Sequence, residues 1–438
     1  MNYPELVRSC LFHEIAEMSE NPRSYVKNPD TDFTRTRKLP FGDLIRFLIT
    51  MGSGTTGHEL LKFFDYAPNT VSNSAFCQQR NKLLTNALPN LLHRFNVHFP
   101  LQVYRGKYNL VACDGSEFQI ARNPDDPSTF YPPGGQSLKG FNMLHTVYLY
   151  DILSKRYLDC VIQPGRHKNE FRAICDLTDR YSYEGIPIFI GDRGFSCYNF
   201  YAHAMENGSF FLVRAKDVII RRFLGLDALP DFIDTRADLI LTRNQSKKHR
   251  KHPDRAEQYR YINYNVAFDY VEPGSFDEYL LSLRIIRIRI MEGVFENLIT
   301  NLPEDEFSVE DLKEFYHLRW DIETSFRDLK HTLGADGLHS KKIEYITQEI
   351  WARLILFNFC AVITANVSIS QHDTKHLYQI NFSMAMKICH HFIRFRGHDP
   401  PWELDVLIGS NTLPIRHGRT YARRHRPRLP ASFGYRPS

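Results

Sequence analysis

No two of the eight cysteines in this 438-residue chain are spaced C-x2-C, and none recur at a regular interval. A zinc finger or ribbon is thereby excluded, and so is a disulfide framework; isolated thiols suit a reducing, cytoplasmic setting. The sequence also lacks a secretory leader and an apolar run of membrane-spanning length, so no membrane role is expected. Beyond Asp405 there is no acidic residue, yet Arg416, Arg419, Arg423, Arg424, Arg426, Arg428 and Arg436 crowd that stretch. Such a tail acts either as a solubilising segment or as a phosphate-binding arm ordered only on nucleic acid, with Arg423 and Arg424 among its candidate contacts. The formal net charge of +5 is modest; where the charges sit matters more than their sum. Length alone points to about two or three domains.

What the sequence does have is a dense charged motif, YHLRWDIETSFRDLK, from Tyr316 to Lys330. Tyr316, Arg319, Glu323 and Lys330 follow one another at steps of three, four and seven residues. At about 100° per helical residue these steps bring all four side chains to one stripe. A carboxylate flanked by two cations and a phenol suits a metal ion beside a phosphodiester, with Glu323 as ligand and Arg319 and Lys330 on phosphate oxygens. An exposed helix laced with ion pairs through Asp321, Arg327 and Asp328 would carry the same pattern.

Two aspartates upstream weigh against that plainer alternative. Asp114 closes the run Tyr108–Cys113 and precedes Gly115 and Ser116, while Asp192 closes Ile186–Gly191 and precedes Arg193, Gly194 and Phe195. Both runs read as buried strands, each presenting an acid where the strand leaves the sheet, a common place for ligand sites. Either aspartate alone is also ordinary turn chemistry; three such carboxylates together are much harder to obtain by accident. Glu170, opening a helix after His167, Lys168 and Asn169, is a rival third ligand that lacks the cationic stripe. Three carboxylates can hold two Mg²⁺ ions about 3.5–4 Å apart, one for the nucleophile and one for the leaving oxygen. No Ser, Cys or His nucleophile is then required, and His145, His167 and His203 stand alone in sequence, as structural histidines commonly do.

On these residues the chain resembles the DDE-type transposases of bacterial insertion sequences, in the large insertion-sequence-four group. The hallmark of that group is Y-x2-R-x3-E-x6-K, which Tyr316, Arg319, Glu323 and Lys330 match without a gap. The two aspartate boxes are similar as well, and the likeness extends to the segment Asp32–Phe41 and the basic tail. The resemblance implies an α/β, RNase H-like catalytic domain interrupted by a β-rich insertion, with a helical DNA-binding domain ahead of it. It implies Asp114, Asp192 and Glu323 as catalytic residues and ligands of Mg²⁺, for which Mn²⁺ substitutes. Tyr316, Arg319 and Lys330 would grip phosphates near the terminal nucleotides, and Trp320 would either stack on a base or pack in the core. Cut-and-paste transposition through a hairpin intermediate, on double-stranded element ends and target DNA, would then proceed in a homodimer. Two other classes stay open: a non-catalytic DNA-binding descendant, and a structure-selective nuclease of RNase H-like fold.

Residues 1–105 read as helical, with apolar helical spacing over Leu6–Met18, Phe41–Met51 and Leu60–Phe64. A turn at Asp65–Thr70 then leads to a polar helix, Ser72–Leu84. Helix, turn and polar helix form either a helix-turn-helix, with Gln78, Gln79 and Arg80 suited to groove contacts, or an ordinary bundle. The first part of the catalytic domain is expected over 106–215. Its strand to Asp114 precedes a hairpin of Phe141–Tyr150 with Arg156–Gln163, a helix over Asn169–Arg180, and the strand to Asp192. This β-β-β-α-β order is that of RNase H-like folds, where first and fourth strands are neighbours about 4.8 Å apart. Over 216–301 a β-rich insertion is expected, in which Ile286, Ile288 and Ile290 alternate with Arg287 and Arg289. Its basic face, and the loop Arg243–Lys251 with Lys247, Lys248 and Arg250, serve either as DNA contacts or as a decorated surface. Residues 302–404 hold the second catalytic part, whose glutamate helix opens with Ser308 as cap and acids at 310 and 311. The basic tail occupies 405–438.

Overall fold

The computed structural model describes residues 2–35, 37–134, 137–332, 338–369, 377–394 and 403–415. The tail contacts expected at Arg423 and Arg424 lie outside these residues. Five helices come first: α1 (Tyr3–Glu20), α2 (Phe41–Thr50), α3 (Thr56–Phe63), α4 (Asn73–Arg80) and α5 (Ala87–Val97). Each of α1, α3 and α4 starts on a side-chain cap, from Asn2, Thr55 and Ser72 respectively, which satisfies an otherwise unpaired amide. Then follow β1 (Tyr108–Ile120), β2 (Phe130–Tyr131), β3 (Phe141–Asp151), β4 (Arg156–Pro164), α6 (Glu170–Asp179), β5 (Ile186–Gly191), α7 (Tyr198–Glu206) and β6 (Phe210–Arg214). The next stretch holds α8 (Asp217–Leu224), β7 (Ile233–Thr242), β8 (Tyr259–Tyr261), β9 (Glu278–Met291) and β10 (Val294–Thr300). Beyond it lie α9 (Val309–Leu318), α10 (Trp320–Arg327), α11 (Ile343–Ala365) and α12 (Phe382–Arg394).

The strands form one sheet in the order β2-β3-β1-β5-β6-β10-β9-β7-β8, with β4 sharing β3's outer edge. β1 runs antiparallel to β3 and parallel to β5, and β5 runs parallel to β6. Leaving aside the short β2, this is the arrangement expected of an RNase H-like sheet, with first and fourth strands adjacent. The strand carrying Asp114 does not end there, however. β1 continues to Ile120 because its ladder with β3 runs on from Asp114↔Tyr148 to Ile120↔Asn142, so Gly115 and Ser116 are strand residues and not a turn. Only the parallel ladder with β5 stops, at Cys113↔Gly191.

The strands of the 216–301 segment extend this same sheet, β10 pairing with β6 and β9 lying between β10 and β7. One face of the sheet, with Leu110, Ala112, Ile188 and Ile190, shares a single apolar core with α1, α2, α5 and α11. The change of texture near residue 105 is therefore a change within one packed body. On the other face, Val111, Cys113 and Phe189 pack against α6 and α7. Contrary to expectation, Ile343–Ala365 is long and apolar enough to cross a membrane by length and composition; 94% of its most apolar window is buried inside the fold. A helix apolar on all sides is what a site at the centre of a large core requires.

Candidate active site

Side chains alternate along a strand, so Asp114 shares the face of Ala112, and Asp192, continuing β5 in extended conformation, shares that of Ile190. The last parallel pair is Cys113↔Gly191, which leaves the two aspartates as neighbours although 78 positions separate them in sequence. Gly191 is dictated by packing: a Cβ there would lie 3.2 Å from that of Phe195, which folds back over the strand end.

The third carboxylate arrives on helix α10. The helix before it, α9, opens on a capping box in which Ser308 and Asp311 satisfy each other's backbone amides. Tyr104 and Arg105 bind Asp311 and fix this end beside β1. The helix expected from Ser308 to Lys330 is not regular throughout. At Arg319, between α9 and α10, the backbone stays helical (φ −51°, ψ −30°) but the turn tightens, the Ile322 amide donating to the Arg319 carbonyl, and a π-type turn follows over Asp328–Thr332. Three of the four motif side chains nevertheless converge. Tyr316 Oη lies 3.3 Å from Asp192 Oδ1. Arg319 reaches Asp114 Oδ2 at 3.3 Å and Glu323 Oε1 at 3.2 Å. Lys330 stands apart, its Nζ donating to the Glu117 carbonyl at 2.8 Å and lying over the Phe118 ring. Trp320 is 42% exposed, so the core packing expected of it does not occur.

Electrostatics follow from this crowding. Burial pushes the Asp114 carboxyl up to about 6; Arg319 and the Gly115 amide oppose this, while Glu323 and Asp192 add to it. The Tyr316 phenol is pushed up to about 12, chiefly by burial. Arg319 is only 3% exposed, and its guanidinium also lies 5.4 Å from the ring centres of Tyr316 and Trp320. It is the buried, shared counter-ion of a half-buried acidic cluster rather than a member of an exposed stripe. Hard oxygen donors of this kind suit Mg²⁺, and the charge that raises Asp114 is what a divalent ion would neutralise. The donors thus fit such an ion in chemistry. Among the described residues, however, no three acidic, His or Cys groups are close enough to ligate one ion as they stand, because Arg319 lies between Asp114 and Glu323.

One neighbour of the cluster escaped the sequence reading. Glu296 on β10 pairs with Arg214 at 3.5 Å, and its carboxyl is pushed up by burial, with Asp192 adding to the shift and Arg319 opposing it. Its signal was an acid inside an otherwise strand-like segment. His145 lies 3.1 Å from Glu170, the rival ligand, which stands on the other face of the sheet from Asp114.

The expected DNA contacts divide. Gln78 is exposed and Gln79 half-buried on α4, but Arg80 is 2% exposed. Its guanidinium binds Gln348 at 3.0 Å, Glu349 at 3.3 Å and the Tyr345 carbonyl at 2.8 Å, all on α11. Arg80 is therefore a buried tie between α4 and α11 and is unavailable to a groove. Lys247 and Lys248 are exposed in the loop joining β7 to β8, whereas Arg250 lies over the Tyr259 ring at 4.4 Å. That loop is at the far edge of the sheet, roughly 20 Å or more from Asp192 by strand spacing. The face expected to be basic on β9 divides as well: Arg287 is buried on Asp217 and Asn297, whereas Arg289 is exposed.

A family model described as "Transposase DDE domain" matches residues 105–359. Over 73 residues the chain is 45% identical to the transposase for insertion sequence element IS421 of Escherichia coli. The InsL protein of insertion sequence element IS186A of Escherichia coli (strain K12) matches equally, at 45% over 73 residues. That stretch is 16% of this chain and spans 20% of the length of these relatives. Among solved structures, piggyBac transposase in a synaptic complex with hairpin DNA aligns with 95% of this chain and 87% of that one, at 12% identity and a TM-score of 0.44.

Proposed function

The chain belongs to the transposase DDE-domain family, and on that premise we propose that it is the transposase of an insertion sequence of the insertion-sequence-four group, cutting its element from DNA and joining it elsewhere. The observation that carries this is the convergence of Asp114, Glu323 and Arg319 with Asp192 and Tyr316 alongside. Asp114, Asp192 and Glu323 would hold Mg²⁺ or Mn²⁺. When bound, such ions activate the attacking oxygen and compensate charge on the leaving one. In the DNA-free protein Arg319 supplies the positive charge that the cluster needs. With DNA, the guanidinium exchanges carboxylate for phosphate, for which its planar fork is equally suited. Tyr316 beside it, and Lys330 from its place against β1, would contact the same bound strand, and the exposed ring of Trp320 offers a surface for an unstacked base.

Water attacks the phosphodiester at the element's end and frees a 3′-hydroxyl. That hydroxyl attacks the opposite strand to close a hairpin, which is reopened before strand transfer into target DNA. Two ends must be processed together, which calls for a homodimer on double-stranded DNA. The test is to incubate the protein with DNA carrying its own element's ends and Mg²⁺, and to resolve the products. Nicked ends, hairpins and joined strands support the proposal; nicking without preference for the ends would make it a nuclease instead.

A further inference from the structure

Asp114 and Asp192 lie one residue beyond the last pair of the β1–β5 ladder, Cys113↔Gly191, where the pairing of these two strands ends. The segments that follow them both reach the reverse face of the sheet, where Gly115 and Gly194 lie against one carboxylate. A Cβ at Gly115 would be 3.4 Å from Glu170 Oε1, and a Cβ at Gly194 would be 3.4 Å from Glu170 Oε2. The remaining room behind Gly115 is taken by His145, whose Cε1 and Nε2 would lie 3.0 and 3.2 Å from that Cβ. We infer that Glu170 and His145 are positioning residues that brace the strand after Asp114 against the turn after Asp192, and so set the distance between the two aspartates.

The carboxylate has local supports of its own. Glu170 is the first residue of α6, whose cap Asn169 accepts from the Arg172 amide at 3.0 Å, and a carboxylate is stabilised at a helix N-terminus. Its oxygen lies 3.1 Å from Nε2 of His145, a ring 2% exposed and fixed on β3 opposite Glu117. This contact, the largest influence on the group, holds the Glu170 carboxyl below its usual range. The pair also accounts for Gly115, since a side chain there would press on the imidazole.

The inference rests on the proposed role of Asp114 and Asp192 as ion ligands, and its test separates the two. Mn²⁺ binding to the DNA-free, full-length protein is measured by calorimetry, with melting temperature as the control for folding. Removing a residue that orients a ligand commonly weakens binding by about 10- to 100-fold. Glu170→Ala is expected to lose affinity on that scale with its melting temperature little changed. Glu170→Gln, of equal size, should retain most of the affinity, and Glu170→Asp, withdrawn by one methylene, should fall between. Gly115→Ala, which pushes on His145 from the other side, should reproduce the loss. Unchanged Mn²⁺ binding in Glu170→Ala and Gly115→Ala, alongside loss in Asp114→Asn, would overturn the brace alone. Unchanged binding in Asp114→Asn would overturn the ion-ligand role beneath it.

Discussion

Replacing Asp114 by asparagine should make the metal-free protein more stable. Burial and the charges of Glu323 and Asp192 raise its carboxyl from an ordinary 3.8 to about 6. That gap corresponds to about 3 kcal/mol of strain on the ionised form. That figure already includes the opposing attraction of Arg319 at 3.3 Å. A net gain of about 1–3 kcal/mol is expected. The sign follows from linkage: the folded state holds this proton more tightly than the unfolded chain does. The stabilisation is therefore fully present below about pH 4 and is lost as pH rises through about 6. The amide of Asp114→Asn cannot ionise, so this variant should match the parent near pH 4 and melt a few degrees higher at pH 8. Scanning fluorimetry in excess chelator at both pH values measures this. A variant no more stable than the parent at pH 8, or an equal advantage at pH 4, would refute the reasoning.

Arg80→Ala should destabilise the fold by about 3–5 kcal/mol, since it strands Glu349 in the core; a lowered melting temperature is the readout, and loss of DNA binding at unchanged stability would contradict the buried tie. Mg²⁺ and Mn²⁺ should support strand cleavage, whereas Ca²⁺, with longer bonds and looser geometry, should allow assembly with little chemistry; undiminished cleavage in excess chelator would exclude the proposed mechanism. Removing residues 416–438 should weaken binding to end and non-end DNA alike and flatten its salt dependence, each lost phosphate contact removing about 0.9 from the log–log slope. An unchanged slope would mean that these arginines do not touch phosphate.

The part of the site legible in the sequence is the part written locally. Apolar runs ending in Asp114 and Asp192 mark buried parallel strands, and Ser308 with Asp311 marks a helix start; the structure has all three. What could not be read depends on distant partners. A lone Arg in a polar helix suggests solvent, but Arg80 meets Glu349, 269 positions away, and becomes a core residue. Arg319 meets Asp114 across 205 positions and, expected to be exposed, is a buried counter-ion in the DNA-free protein. The tightened turn at Arg319 is invisible because its backbone stays helical and the pattern of three, four and seven is kept. Asp114 looked like a turn residue because Gly115 and Ser116 follow it, yet pairing with β3 overrides that local preference. Glu170 was visible as an acid near the strands, while its face and its partner His145 required the topology.

The central claim is that Asp114, Asp192 and Glu323 perform DNA strand cleavage. Its most direct test follows cleavage of labelled element ends in Mg²⁺ by Asp114→Asn, Asp192→Asn and Glu323→Gln, with end binding measured in parallel by gel shift. Each substitution removes a charge proposed to hold the ion and none removes a proposed DNA contact, so cleavage should vanish in all three while binding stays near the parent level. Cleavage at the parent rate by Glu323→Gln would contradict the account.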